Sequence, residues 1–197
     1  MTYFVICDYD KVKEEFPEFD ETMRKLEEEL IRKAEADWAP LKYGGVKPKA
    51  GQFGKSTIMP QLFKGMAGTM LTTWDQWFTA TGSQLILAGV GTGNTIPEDF
   101  KVGLVGIAFL DPVVRVSEIK MQIGDKKLPR INIEEAFCYR RPCIVFEEGF
   151  ILDEETGFEL YGYVLSQGPQ RIKLIGVQVN RVPNKLQVTN TGASLII

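Results

Sequence analysis

From Glu18 to Trp38, apolar residues recur at three- and four-residue steps. Phe19, Met23, Leu26, Leu30, Ala34 and Trp38 form one stripe, and Glu, Lys and Arg fill most other positions. That spacing predicts an amphipathic helix of about five turns with a single narrow apolar face. Pro17 suits its first turn, where a missing N–H costs nothing, and Pro40 with Gly44-Gly45 ends it. Ahead of the helix, Tyr3 to Cys7 reads as a short strand followed by a charged turn. The stripe must be covered by this chain's own sheet or by a groove on a neighbouring subunit.

The pattern changes at residue 44. Gly44, Gly45, Gly51, Gly54, Gly65 and Gly68, with Pro48 and Pro60, preclude a long regular element. Yet Phe53, Ile58, Met59, Leu62, Phe63, Met66, Met70 and Leu71 are too apolar for a solvated linker. Such an irregular arm needs a surface to cover, on its own sheet or on a partner. Trp74, Trp77 and Phe78 follow, the densest aromatic cluster in the chain. They read as core or subunit contact in preference to a sugar-stacking platform.

Beyond residue 82 the chain reads as strands and turns. Gln84–Ala88 is one strand, and Phe100–Leu110, apolar on both faces, is a central one. A third runs from Val114 to Ile123 with an irregularity near Ser117, and Leu128–Ile133 would be its return. Cys143–Leu152 and Phe158–Leu165 are expected to form a hairpin around Asp153–Gly157. Arg171–Val182 is the longest strand, and its apolar face switches near Gly176, where a bulge is expected. This density of strands without intervening helices predicts a mainly β protein, an antiparallel sandwich, jelly roll or barrel. The implied division is strand and helix over 1–43, an apolar arm over 44–82, and a β domain with a C-terminal arm over 83–197.

At 197 residues, the chain is long enough to fold around its own core without a metal or disulfide. No basic leader precedes the first apolar run, so no signal peptide is expected, and no apolar stretch approaches the ~20 residues of a membrane helix. Synthesis in a cytoplasm follows as the expectation. Charge is uneven. Residues 1–37 carry twelve acids and six bases, a net of −6, whereas residues 38–74 carry five lysines and no acid. The two segments can pair within a subunit or across a contact, or remain two solvated faces.

Histidine is absent, which removes Ser-His-Asp and Cys-His nucleophile systems and histidine metal ligands together. The three cysteines, Cys7, Cys138 and Cys143, are an odd count and do not read as a disulfide framework. Cys138 and Cys143 have a spacing compatible with a redox pair or half a metal site, but buried free thiols are the plainer reading. Gly51-Gln52-Phe53-Gly54-Lys55-Ser56-Thr57 looks like a phosphate-binding loop. Its required first glycine is replaced by Lys49, and the segment leading in is polar and broken by proline. Gly89-x-Gly91-x-Gly93 has Asn94 where a dinucleotide loop needs its third glycine, and Pro97 stands where the helix should begin. Glu134-Glu135, Glu147-Glu148 and Asp153-Glu154-Glu155 read as solvated charge on turns, not as the paired carboxylates of a glycosidase. No catalytic residue, cofactor or metal is expected.

In its layout of helix, arm and β domain, the chain resembles virion structural proteins, in particular single jelly-roll capsid proteins. The resembling part is Ser83–Ile197, with GFILDEETGFELYGYVLS, QRIKLIGVQVNRV and the closing NTGASLII. The resemblance implies a self-assembling shell subunit located in the virion, whose partners are copies of itself and other virion proteins. Phe53, Leu62, Phe63 and Met66 in the arm, and Leu195, Ile196 and Ile197 at the end, are the expected subunit contacts. One departure is the acidic, helical N-terminus, where genome-binding capsid proteins carry a basic arm. With a sequence pI near 5.2, it argues against direct nucleic-acid binding. The alternatives are a carbohydrate-binding β-sandwich module and a tail-tube or filament subunit.

Overall fold

The computed structural model describes residues 3–38 and 53–181, with only the backbone of Phe53. In chain order the first strands are β1 (Phe4–Asp8), β2 (Phe53–Thr57), β3 (Phe63–Gly65), β4 (Asp75–Phe78), β5 (Gly82–Gly89) and β6 (Phe100–Phe109). They are followed by β7 (Val116–Ile123), β8 (Lys126–Lys127), β9 (Ile131–Asn132), β10 (Pro142–Leu152), β11 (Phe158–Val164) and β12 (Gly168–Arg181). Between β1 and β2 lie a short helix α1 (Val12–Glu15) and the long helix α2 (Phe19–Asp37).

Two antiparallel sheets pack face to face as an open sandwich, not a closed barrel. The first has the order β1-β10-β6-β12-β2, with β4 on the opening residues of β12, and the second has β3-β5-β11-β7-β8, with β9 also on β7. From β4 onward the pairing is nested: β4 with β12, β5 with β11, β6 with β10, and β7 with β9. This is a long hairpin rolled into two layers, the jelly-roll arrangement. Its interior holds Phe63, Phe78, Ile86, Leu104, Phe109, Phe146 and Phe158, all fully buried.

Nesting corrects the expected hairpin of β10 and β11. These strands lie in different sheets, and Asp153–Gly157 carries the chain across the corner between them. Leu152 and Phe158, on either side of that corner, both enter the interior. Turn residues mark where a chain reverses, not which strand becomes its partner.

The glycine-rich arm is also more regular than expected where it is described. β2 pairs with β12 and β3 with β5, so the arm adds an edge to each sheet of its own subunit. Ser117 is the bulge residue: Tyr163 faces Glu118 and Val164 faces Val116, leaving Ser117 unpaired. The irregularity expected in β12 lies across from it instead. Ile175 faces Gly106 and Gly176 faces Leu104, so Val105 of β6 is the extra residue. β12 keeps its faces. Ile172 and Leu174 enter the sandwich, while Ile175, Val177 and Val179 turn outward beneath the helices.

Helix α2 therefore covers the outer face of the first sheet. Phe19, Leu26, Leu30, Ala34 and Trp38 are buried, and Leu30, Ala34 and Trp38 pack with Val179. Glycines beneath the helix let it approach closely. A Cβ at Gly103 would lie 2.7 Å from Leu26 Cδ2, and one at Gly149 would lie 2.8 Å from the same atom. This double cover explains why every position from Lys101 to Phe109 is buried.

Candidate functional site

The second sheet carries its functional potential on the face turned away from the core. Alternation on β11 sends Phe158, Leu160 and Val164 inward and leaves Glu159, Tyr161 and Tyr163 outward. Register then places Lys120 opposite Tyr161, Gln122 opposite Glu159, and Glu118 and Ser83 opposite Tyr163. The result is a shallow polar concavity of about 220 Å³, with Lys127 and Arg130 also on its lining.

Three contacts order this surface. The Tyr161 hydroxyl donates to Glu159 Oε2 at 2.8 Å, and the Asn94 amide holds the other carboxylate oxygen. The bond to Glu159 holds the Tyr161 phenol above its ordinary pKa. Arg130 pairs with Glu118 at 3.2 Å. Tyrosine rings beside amide, ammonium and carboxylate groups can stack on a flat ligand and hydrogen-bond its rim. Sequence reasoning weighed a stacking role only for the tryptophan cluster, preferring core or subunit contact there, and missed these tyrosines. The available signal was the outward i, i+2 spacing of Glu159, Tyr161 and Tyr163.

A second polar cluster locks the end of α2 to the corner after β10. Lys101, with its side chain 1% exposed, donates to Asp37 Oδ2 at 2.7 Å and Asp153 Oδ1 at 3.0 Å. Lys33 bonds the other Asp153 oxygen at 3.2 Å, and Trp38 Nε1 donates to Glu154 Oε2 at 3.2 Å. Burial alone would lower the Lys101 pKa, but its two carboxylate bonds outweigh that and hold it above the ordinary value. Burial likewise opposes ionisation of Asp153, and its bonds to Lys101 and Lys33 more than reverse the effect. These carboxylates are occupied in holding the helix down.

That cluster sets a pH dependence. With its pKa depressed, Asp153 contributes stability that is present above the ordinary value of 3.8 and lost as pH falls through the folded value. The raised Lys101 contributes stability that is complete below 10.5 and lost as pH rises through its folded value. Lys101→Met is expected to cost about 1–2 kcal/mol at neutral pH. This is below the ~3–5 kcal/mol of a fully enclosed pair, because solvent reaches both carboxylates. Denaturant midpoints for wild type and variant should converge below pH 4, and parallel profiles would contradict the assignment.

Among the described residues, the other carboxylate pairs have no such partners in common. Glu134-Glu135 opens an exposed 3-10 turn, and Glu147-Glu148 lies in the stretch of β10 that bulges away from β6. Among the described residues, no group of three or more Cys, Asp or Glu is placed to hold a metal ion. Lys55, the lysine of the phosphate-loop look-alike, lies in β2 and pairs with Glu27 of α2 at 2.5 Å. Gly91–Asn94 is a tight turn, with the Gly91 N–H donating to the Thr95 carbonyl and Asn94 at φ 64°.

The expected subunit contacts separate. Leu62 and Phe63 face the interior of their own chain, where Phe63 meets Phe158 edge-on at 5.5 Å and Trp74 at 6.0 Å. Both sit at the β3 edge of the second sheet, packed into the core of their own subunit. Met66 is partly buried, and its sulfur accepts from the Thr79 N–H at 3.4 Å. The side chain of Phe53, and Leu195, Ile196 and Ile197, lie outside the described residues. Of the aromatic cluster, Phe78 is core and Trp74 packs against the core, but Trp77 is 63% exposed.

Trp77 lies opposite Pro169 at the start of β12, Leu165 follows β11 with its N–H on the Arg115 carbonyl, and Val113 lies two residues before Arg115. Arg115 also reaches Ser166 Oγ and the Pro169 carbonyl, which ties these loops into one end of the molecule. Trp77, Val113 and Leu165 are each about half exposed or more there. No helix among the described residues is long and apolar enough to cross a membrane. Compared with family models, curated proteins and solved structures, the chain matches none, so its own geometry carries the functional reading.

Proposed function

We propose that this chain is a non-catalytic structural subunit that works by associating with copies of itself, as a jelly-roll shell subunit of a virion. The nested strand order carries this reading, because that arrangement is one that shell proteins use. The exposed side chains of Trp77, Val113 and Leu165, on segments that Arg115 ties together, support it, since exposed apolar surface favours a protein contact. Other virion proteins are the further partners, and the acidic charge balance disfavours nucleic acid.

The test is native mass and electron microscopy of the purified protein across concentration and salt. Discrete closed particles are expected, and the symmetry of any particle separates a shell from a tube or filament. Trp77→Ser with Leu165→Ser should leave the fold intact, because exposed positions tolerate substitution within about 0.5 kcal/mol. The same pair should abolish assembly. A protein that stays monomeric under all conditions overturns the reading.

A second reading rests on the tyrosine-lined concavity of the second sheet. It makes the chain a carbohydrate-binding module, with Tyr161 and Tyr163 as the stacking platform. Saturable glycan binding by a monomer, lost in Tyr161→Ala, would favour it over self-assembly.

A further inference from the structure

Cys7 and Cys143 are separated by most of the chain, yet they face each other directly across the β1–β10 ladder. Their sulfurs are 3.3 Å apart and both residues are fully buried. The Tyr9 N–H bonds the Arg141 carbonyl and the Glu147 N–H bonds the Tyr3 carbonyl. By the two-residue repeat of the ladder, Cys7 and Cys143 therefore form a hydrogen-bonded pair, with Cα atoms roughly 5.5 Å apart. That separation lies within the span a disulfide bridges. We infer that Cys7 and Cys143 are a built cross-link site, closed to an intrachain disulfide by low-molecular-weight disulfides such as oxidised glutathione.

The fold sets the order of events. Cys143 is held on both sides, by β1 and by Ala108 of β6, whereas Cys7 lies on a strand that, among the described residues, pairs on one side alone, with β10. Local opening of that strand carries Cys7 outward and leaves Cys143 in the sheet. The Cys7 thiolate attacks one sulfur of the small disulfide and expels one thiolate, forming a mixed disulfide. When β1 re-pairs, Cys143 gives its proton to solvent and its sulfur attacks Cys7 Sγ, expelling the second thiolate. Two protein thiols are thereby oxidised by two electrons, and the small disulfide is reduced to two thiols. The same polarity appears in their acidities. The bond from the Cys143 thiol lowers the Cys7 pKa, and that bond together with burial raises Cys143.

Closure would staple β1, and the helices that follow it, to the body of the sandwich. Cys138 is exposed on the turn before β10 and serves as an internal reference. The full-length chain is equilibrated with excess oxidised glutathione without denaturant, then alkylated, digested and mapped by mass spectrometry. A linked peptide pair containing Cys7 and Cys143 is expected, with Cys138 alkylated or glutathionylated. The oxidised protein should melt on the order of 5–10 °C above the reduced one. Cys138→Ser should retain that shift, and Cys7→Ser should lose it. The inference is overturned if Cys7 and Cys143 both remain alkylatable while the oxidant modifies Cys138, or if the link joins Cys138. The peptide map uses the wild-type chain, so poor folding of a variant does not blunt it.

Discussion

Gly176→Ala is expected to lower the stability of the domain by about 3 kcal/mol or more, the upper end of what overpacking costs. A Cβ at this position would lie 1.9 Å from the Gly103 carbonyl oxygen and 2.9 Å from Ile58 Cδ1. The first obstacle is backbone of β6 itself, so relief requires the β6–β12 ladder to part where Val105 already distorts it. Gly157→Ala is the control, because its nearest neighbour would be the Gly124 Cα at 3.8 Å, an ordinary contact. Urea midpoints should fall sharply for the first variant and hardly move for the second. Equal midpoints would mean that the close approach of the two strands is not needed.

Leu30→Ala should cost about 3 kcal/mol, within the range for a fully buried leucine whose site collapses only in part. Leu30 is enclosed by Ala34, Trp38 and Val179, and it passes over Gly103. Because these contacts lie within one chain, the loss should be independent of protein concentration. Destabilisation that disappears at high concentration would instead place the helix on a neighbouring copy. Arg32→Ala, on the exposed side of the same helix, should change the midpoint by less than about 0.5 kcal/mol.

The helix was legible because its burial is local and periodic. A stripe at three- and four-residue steps has one face to hide, and the first sheet hides it. The β6 strand was legible for the complementary reason, since a run apolar on both faces must be covered twice. Ser117 also announced itself, as a polar residue that breaks the alternation of Val116 and Ile119. Strand partners were not legible. Asp153–Gly157 is a good reversal, and nothing local distinguishes a hairpin from a corner between layers.

The apparent switch of face in β12 failed for a related reason. Val177 and Val179 are apolar on the outward side only because α2, remote in sequence, lies over them. The candidate surface was harder still, since Glu159, Tyr161 and Tyr163 look like ordinary outward residues until register sets Lys120 and Glu118 beside them. The cysteines show the same limit. Nearness in sequence singled out Cys138 and Cys143, while the fold joins Cys143 to Cys7.

Nested pairing also decides when the protein can come into being during its own synthesis. β4 waits for β12, β5 for β11 and β6 for β10, so apart from the β3–β5 pairing the strands made early gain their partners only as the later ones emerge. Because β12 lies between β6 and the β2 and β4 edge, a nascent chain lacking it has an open seam through the middle of its first sheet. Contacts this distant along the chain close slowly, since loop entropy is lost before any pairing rewards it. The domain is therefore completed only once β12 has emerged, rather than element by element. In that interval the unpaired β6 strand, apolar on both sides, is the segment most exposed to chaperones and to aggregation.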